Sequence, residues 1–121
     1  MSALDEARAA FREARFVLVL TGAGVSAESG VPTFRGPGGW WRQRHFSELA
    51  TPEAFAREPR TVWDWYLERR AAVRQCRPNA AHAALAAWSL RVREGRLPAG
   101  RLVTQNVDGL HERAGHLDVV R

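Results

Sequence analysis

The stretch Thr21-Gly22-Ala23-Gly24-Val25-Ser26-Ala27-Glu28-Ser29-Gly30-Val31-Pro32-Thr33-Phe34-Arg35-Gly36 follows directly on the apolar run Phe16-Val17-Leu18-Val19-Leu20, and this junction has the chemistry of a phosphate site. A buried strand that stops at a glycine turn and restarts as a helix leaves backbone N–H groups directed outward where partial positive charge gathers, and a pyrophosphate is the natural occupant. Gly22, Gly24 and Ala27 satisfy the G-x-G-x-x-G/A dinucleotide fingerprint, with one position for the tight turn, one for close backbone approach and one for helix packing. The acidic residue expected about 20 positions later, at the end of a second strand, is missing. That region reads Gly38-Gly39-Trp40-Trp41-Arg42, neither a strand nor acidic, so this is not an ordinary dehydrogenase fingerprint.

A second block, Thr104-Gln105-Asn106-Val107-Asp108-Gly109-Leu110-His111-Glu112-Arg113-Ala114-Gly115, lies at the end of another apolar run. Amides and a carboxylate just beyond the carboxyl end of a strand sit where open α/β sheets bind ligands, although such side chains also cap the helix that follows. A third constellation is Tyr66 with Arg69, three apart in Val62-Trp63-Asp64-Trp65-Tyr66-Leu67-Glu68-Arg69. Helical neighbours at that spacing project to one face, about 5–6 Å apart at Cβ, and a phenol beside a guanidinium can grip one carboxylate. Read alone, the same two residues are better taken as an aromatic of an amphipathic helix and a neighbouring solvated arginine.

The first two blocks together resemble the sirtuin family of NAD-dependent protein-lysine deacylases, and the resemblance runs from about residue 16 to the last residue. It implies NAD as cofactor, with Gly22, Ala23, Gly24, Ala27, Gly30, Pro32, Thr33, Phe34, Arg35, Trp41, Gln105, Asn106, Val107 and Asp108 on the cofactor. Phe34 then shields the nicotinamide ribose from water, and Arg35 lies by the reacting half. Asn106, the catalytic candidate, positions the ribose hydroxyls and a water, and Asp108 recognises the nicotinamide amide. The Tyr-x-x-Arg pattern of Tyr66 and Arg69 resembles the branch that removes succinyl, malonyl or glutaryl groups, so the implied partners are lysine side chains of proteins carrying acidic acyl groups.

The family's acyl transfer to ADP-ribose, with release of nicotinamide, uses a histidine general base. In the family that histidine lies in a Glu-Leu-His-Gly-like segment immediately after a strand resembling Leu117 to Arg121. It has no match here: His111 and His116 flank a short helix, His82 falls in a segment the family uses structurally, and His45 lies in a loop and faces solvent. The four cysteines of the family's structural zinc module are also unmatched, because Cys76 is the single cysteine. The expectation is therefore one domain, residues 1–121, resembling the N-terminal part of a sirtuin catalytic domain. It is either an enzyme that needs further residues or a remnant that binds nucleotide weakly without catalysis.

Several elements must position these residues. Ser2 and Asp5 form a capping box for a helix whose Leu4, Ala7, Phe11 and Ala14 recur at helical spacing, read as an amphipathic lid. Phe16 to Leu20 reads as a central strand covered on both faces. Pro32 to Thr51, rich in Gly, Pro and aromatics without period, reads as a mobile flap over the cofactor. Short and long helices are expected over Pro52–Ala56 and from Pro59 to about Gln75. Asn79 caps a further helix, with Ala81, Ala84, Leu85, Trp88 and Val92 on one face up to the Gly95–Gly100 turn. Leu102–Thr104 and Leu117–Val120 are strands and Gly109–Ala114 a short helix. Strands alternating with helices predict an α/β fold, a Rossmann-like parallel sheet with flanking helices, incomplete and without the zinc module.

With 121 residues and 45% apolar content the chain has one ordinary domain's core. The net charge of +5 does not mark a nucleic-acid reader: all 18 basic residues are arginines, scattered from Arg8 to Arg121 among carboxylates. No apolar run approaches the roughly 18 residues of a membrane span. Asp5, Glu6 and Glu13 among the N-terminal arginines argue against a transit peptide, and a cytoplasmic location is expected.

Overall fold

The structure, a computed structural model, describes residues 1–33 and 39–121. The first helix, α1 (Ala3–Glu13), starts at the expected capping box, with the Ser2 hydroxyl accepting the Asp5 N–H and the Asp5 carboxylate accepting in return. Among the described residues it buries none of its own side chains: Leu4 and Phe11 stay exposed.

Strand β1 (Phe16–Thr21) runs into α2 (Ala23–Ser26), a single turn that continues as a 3-10 turn over Ala27–Ser29. After the described gap come β2 (Trp40–Trp41) and β3 (Arg44–His45), an antiparallel hairpin, then a 3-10 turn at Phe46–Glu48. Helices α3 (Pro52–Arg57), α4 (Pro59–Gln75) and α5 (Ala80–Arg93) follow, each opened as the sequence indicates: Thr51 caps α3, prolines occupy the first turns of α3 and α4, and Asn79 caps α5. Strand β4 (Ala99–Thr104), α6 (Leu110–Arg113) and β5 (Val119–Val120) complete the chain.

The main sheet has the order β1-β4-β5, all parallel, with Thr21 opposite Thr104 and Leu102 opposite Val119. Leu102, in the middle strand, is fully buried, as is Leu110 of α6, and Ala86 and Trp88 of α5 are buried as well. Gly100 is needed for this packing, because a Cβ there would fall 2.3 Å from the Trp88 ring. Leu49, Ala54, Val62 and Trp65 form a second core under α3 and α4.

Among the described residues β1 pairs with β4 alone, and its face carrying Phe16, Leu18 and Leu20 is 56%, 56% and 71% exposed. Two expectations fail here. The supposed flap without strands contains the β2–β3 hairpin, because Arg42 (φ 46°) and Gln43 (φ 67°) adopt the left-handed backbone of a two-residue hairpin turn. On α5, Ala81 and Ala84 are exposed while His82, Ala86 and Ser89 are buried beside Trp88. The buried face is thus rotated toward small and polar residues that periodicity of apolar types does not register.

Candidate functional site

Because β1 and β4 are parallel and in register to their last residues, the glycine turn and the Gln105–Asp108 segment leave the sheet side by side at its carboxyl edge. The Gln105 N–H donates to the Thr21 carbonyl at 3.0 Å, extending the ladder one step past the strands. The Thr21 and Thr104 hydroxyls lie 2.8 Å apart, with His111 Nε2 2.9 Å from Thr21 Oγ1.

Ser26 is the hub between the two blocks, and it is fully buried. Its hydroxyl donates to Asp108 Oδ2 at 2.7 Å. His82 Nδ1 accepts the Asn79 backbone N–H at 3.1 Å, which leaves Nε2 protonated and 3.3 Å from Ser26 Oγ as a donor. The Asn106 amide donates to the Gly22 carbonyl at 2.9 Å and reaches Ser26 Oγ at 3.4 Å. Asn79, expected as a cap, also donates to the Val25 carbonyl (2.8 Å) and Ser29 Oγ (3.0 Å), fixing the exit of the glycine turn. Asp108 keeps its capping role as well, since its Oδ1 accepts the Leu110 N–H at 2.9 Å.

Sequence reasoning missed Ser26 and the second role of Asn79. The fingerprint assigns close packing to Ala27, yet Ala27 is exposed and its neighbour Ser26 is buried. The reason is the one-turn length of α2: the change to 3-10 geometry after Ser26 turns that side chain inward. A Ser-x-x-x spacing carries no signal of this, whereas the polar Asn79 and His82 near a helix start did carry one.

His82, His111 and His116 form a buried row, with ring centroids 5.0 Å and 6.3 Å apart along it. Desolvation pushes all three below the ordinary imidazole value, and the neighbouring histidines push His111 further the same way. All three are buried within the fold. His45 is half-buried rather than solvent-facing, edge-on to Trp40 at 5.2 Å with Nδ1 2.8 Å from Ser47 Oγ.

Over the turn itself there is room. A Cβ built on Gly22 or Gly24 meets no atom within 4 Å, so the space a phosphate needs is open to the backbone. Ala23 is half-buried and Gly30 closes the 3-10 turn with a left-handed φ of 86°. Gln105 is exposed and Val107 projects into solvent, 93% exposed. Phe34 and Arg35 lie outside the described residues.

The acyl-sensing candidates sit on α4. Tyr66 is half-exposed with its ring 4.6 Å from Trp65. Arg69 is partly buried with its guanidinium 5.4 Å from the Trp65 ring, and burial lowers its pKa while the neighbouring Tyr66 opposes that shift. Arg69 Nη2 donates to the Pro32 carbonyl at 3.3 Å, which brings the acyl pair to the exit of the glycine turn just before Thr33. Trp41 is half-buried on the hairpin, its indole N–H donating to Glu68 of α4. Among the described residues no group of three or more His, Cys, Asp or Glu side chains could hold a metal ion, and no helix is long and apolar enough to cross a membrane.

The Sir2 family profile matches residues 22–121. The zebrafish (Danio rerio) mitochondrial NAD-dependent protein deacylase sirtuin-5 is 51% identical over 115 residues, 94% of this chain and 37% of the relative. The NAD-dependent protein deacylase of Thermus thermophilus is 50% identical over 120 residues, 99% of this chain and 47% of the relative. Among solved structures, a complex of a Sir2 homologue with NAD superimposes with a TM-score of 0.77 at 48% identity, over 98% of this chain and 44% of that one. This chain therefore spans less than half the length of the relatives it matches. The cytoplasmic location expected from the N-terminal carboxylates is overturned by the mitochondrial sirtuin-5 relatives, which match over nearly the whole chain.

Proposed function

The chain belongs to the Sir2 family, and on that footing we propose that residues 1–121 form the N-terminal, nicotinamide-side part of the NAD-binding catalytic domain of a protein-lysine deacylase that favours acidic acyl groups. The observation that carries the reading is the joining of the two blocks through Ser26: the open glycine turn, Asn106 and Asp108 converge at one edge of a parallel sheet.

The residues present fit a dinucleotide. Gly22 and Gly24 offer backbone without a clashing Cβ, and Asn106 and Asp108 are oriented by fixed partners before any ligand arrives. When bound, NAD supplies an anomeric carbon that departing nicotinamide makes electrophilic. The chain's own share is to hold and orient. Asn106 is tied to the Gly22 carbonyl at the turn, and Asp108, with a second lone pair on each oxygen, accepts from an amide while Ser26 fixes its plane. Tyr66 and Arg69 offer a hydroxyl and a guanidinium to an acyl carboxylate, and Arg69 joins that site to Pro32. The names of the relatives, NAD-dependent protein deacylases, support the same activity.

Calorimetric titration with NAD tests this reading. Gly24→Ala adds a methyl that meets no protein atom, so the variant is expected to keep its melting temperature and lose at least about tenfold in NAD affinity. Unchanged affinity overturns the site. A second reading, binding without turnover, is favoured for these residues alone by the burial of His82, His111 and His116, which withholds their rings from a substrate approaching from solvent. Incubation with NAD and a succinyl-lysine peptide is expected to release no nicotinamide over multiple turnovers, and sustained release would point to His111 or His116.

A further inference from the structure

Two consecutive residues of α4, Glu68 and Arg69, hold Pro32 on one side and Trp41 with Arg42 on the other. Arg69 donates to the Pro32 carbonyl on one flank. Glu68 takes the other: its Oε2 accepts the Trp41 indole N–H at 2.5 Å, its Oε1 accepts from Arg42 Nη2, and the Arg42 guanidinium lies over the Trp41 ring at 4.4 Å. Both oxygens of one carboxylate are thus engaged by adjacent residues of the hairpin. Farther along the hairpin, Arg44 pairs with Glu58, near the start of the same helix, at 2.6 Å.

The hairpin turn is one that needs such support. Arg42 and Gln43 have left-handed backbones that side-chain-bearing residues rarely take, and such conformations persist where the surroundings over-determine them. An isolated two-stranded hairpin is marginal in water, so the contacts to α4 set where β2 lies.

Resting on the reading above that Pro32, Thr33 and Trp41 face the cofactor, we propose that Glu68 is a positioning residue for NAD binding. By fixing Trp41 and Arg42 while Arg69 holds the Pro32 carbonyl, one turn of α4 sets the places of Pro32 and Trp41 together. The acyl and nucleotide sites are then mechanically linked through α4, and a side chain that touches neither ligand tunes nucleotide affinity.

Three variants of the whole chain test this against a merely structural role. Glu68→Ala removes both contacts from an exposed position, so the melting temperature should hold while NAD affinity in calorimetry falls about fivefold. Glu68→Gln keeps an oxygen for the Trp41 indole but loses the charge that pairs Arg42, and should fall between wild type and Glu68→Ala. Arg93→Ala, on a different helix away from both flanks, should leave NAD affinity unchanged. The Trp41 indole N–H resonance, followed by ¹⁵N–¹H correlation, should move upfield in Glu68→Ala. If the wild type binds NAD and Glu68→Ala binds it equally well, the role of Glu68 is overturned while the nucleotide site stands. If the wild type binds no NAD, both fall, and the indole resonance then shows whether the contact to Glu68 is a surface clasp alone.

Discussion

The two halves of the candidate site are held by opposite kinds of bond. Around the glycine turn, Ser26, His82, Asp108, Asn106 and Asn79 are joined by buried and part-buried hydrogen bonds of 2.7 to 3.4 Å among largely neutral groups. Around the acyl side, the hairpin is joined to α4 by exposed ion pairs, Arg42 with Glu68 and Arg44 with Glu58. Buried networks are expensive to leave incomplete, whereas exposed pairs are individually weak and screened by salt. The glycine-turn half is therefore built to hold one geometry, and the hairpin half to yield at little cost.

Ser26→Ala should separate the halves most sharply. It strands a buried His82 donor and an Asp108 oxygen, and such groups cost about 1–3 kcal/mol each when left unpaired. Stability should drop by more than about 2 kcal/mol in chemical denaturation, whereas Glu58→Gln on the hairpin side should barely move the transition. Equal effects of the two changes would erase the distinction.

Arg69→Met is the next largest. Losing a charged contact to a carboxylate costs about 2–5 kcal/mol when the pair is buried, and Arg69 is only partly buried, so the lower end applies. Affinity for a succinyl-lysine peptide should fall about thirtyfold while an acetyl-lysine peptide is little affected. Equal loss on both peptides would mean that Arg69 serves chiefly to hold Pro32.

The same contrast explains what could be read from the chain. Short-range rules carry the capping box at Ser2, the prolines opening α3 and α4, and the Asn79 cap, because each depends on residues within one turn. The two blocks that meet at the carboxyl edge of the sheet were legible as strings. Ser26 was not, because its burial depends on α2 ending after one turn and on partners more than fifty positions away. The clasp of Trp41 and Arg42 on Glu68 was hidden because it joins residues 27 and 26 positions apart that no local rule links.

Acid should find the buried half first. His82, His111 and His116 have folded-state pKa values pushed below the ordinary 6.5 by burial, so the unfolded chain binds protons more readily as pH falls. Their stabilising effect is complete above about pH 6.5 and is lost as pH drops below it. Glu58 and Glu68, lowered chiefly by hydrogen bonds from Arg44 and Trp41, hold their effect until pH falls below the ordinary 4.5. Between pH 7 and 5 the melting temperature should decline in the wild type and, in parallel, in Glu68→Gln. A decline confined to the wild type would assign this window to the clasp instead.

Salt should act on the other half, and more gently. At 1 M the screening length is about 3 Å, against about 10 Å at 0.1 M, so pairs in contact with water such as Arg42–Glu68 and Arg44–Glu58 lose most of their attraction. The Ser26 network exchanges no ion pair with solvent and is unaffected by screening. Hydrogen exchange resolves the two on one sample. In high salt the amides of Trp41 and His45, in the hairpin, should exchange faster, while those of Val19 and Val103, in the β1–β4 ladder, keep their protection. If all four accelerate together, the hairpin and the sheet open as one unit, and the exposed pairs do not define a separately yielding half.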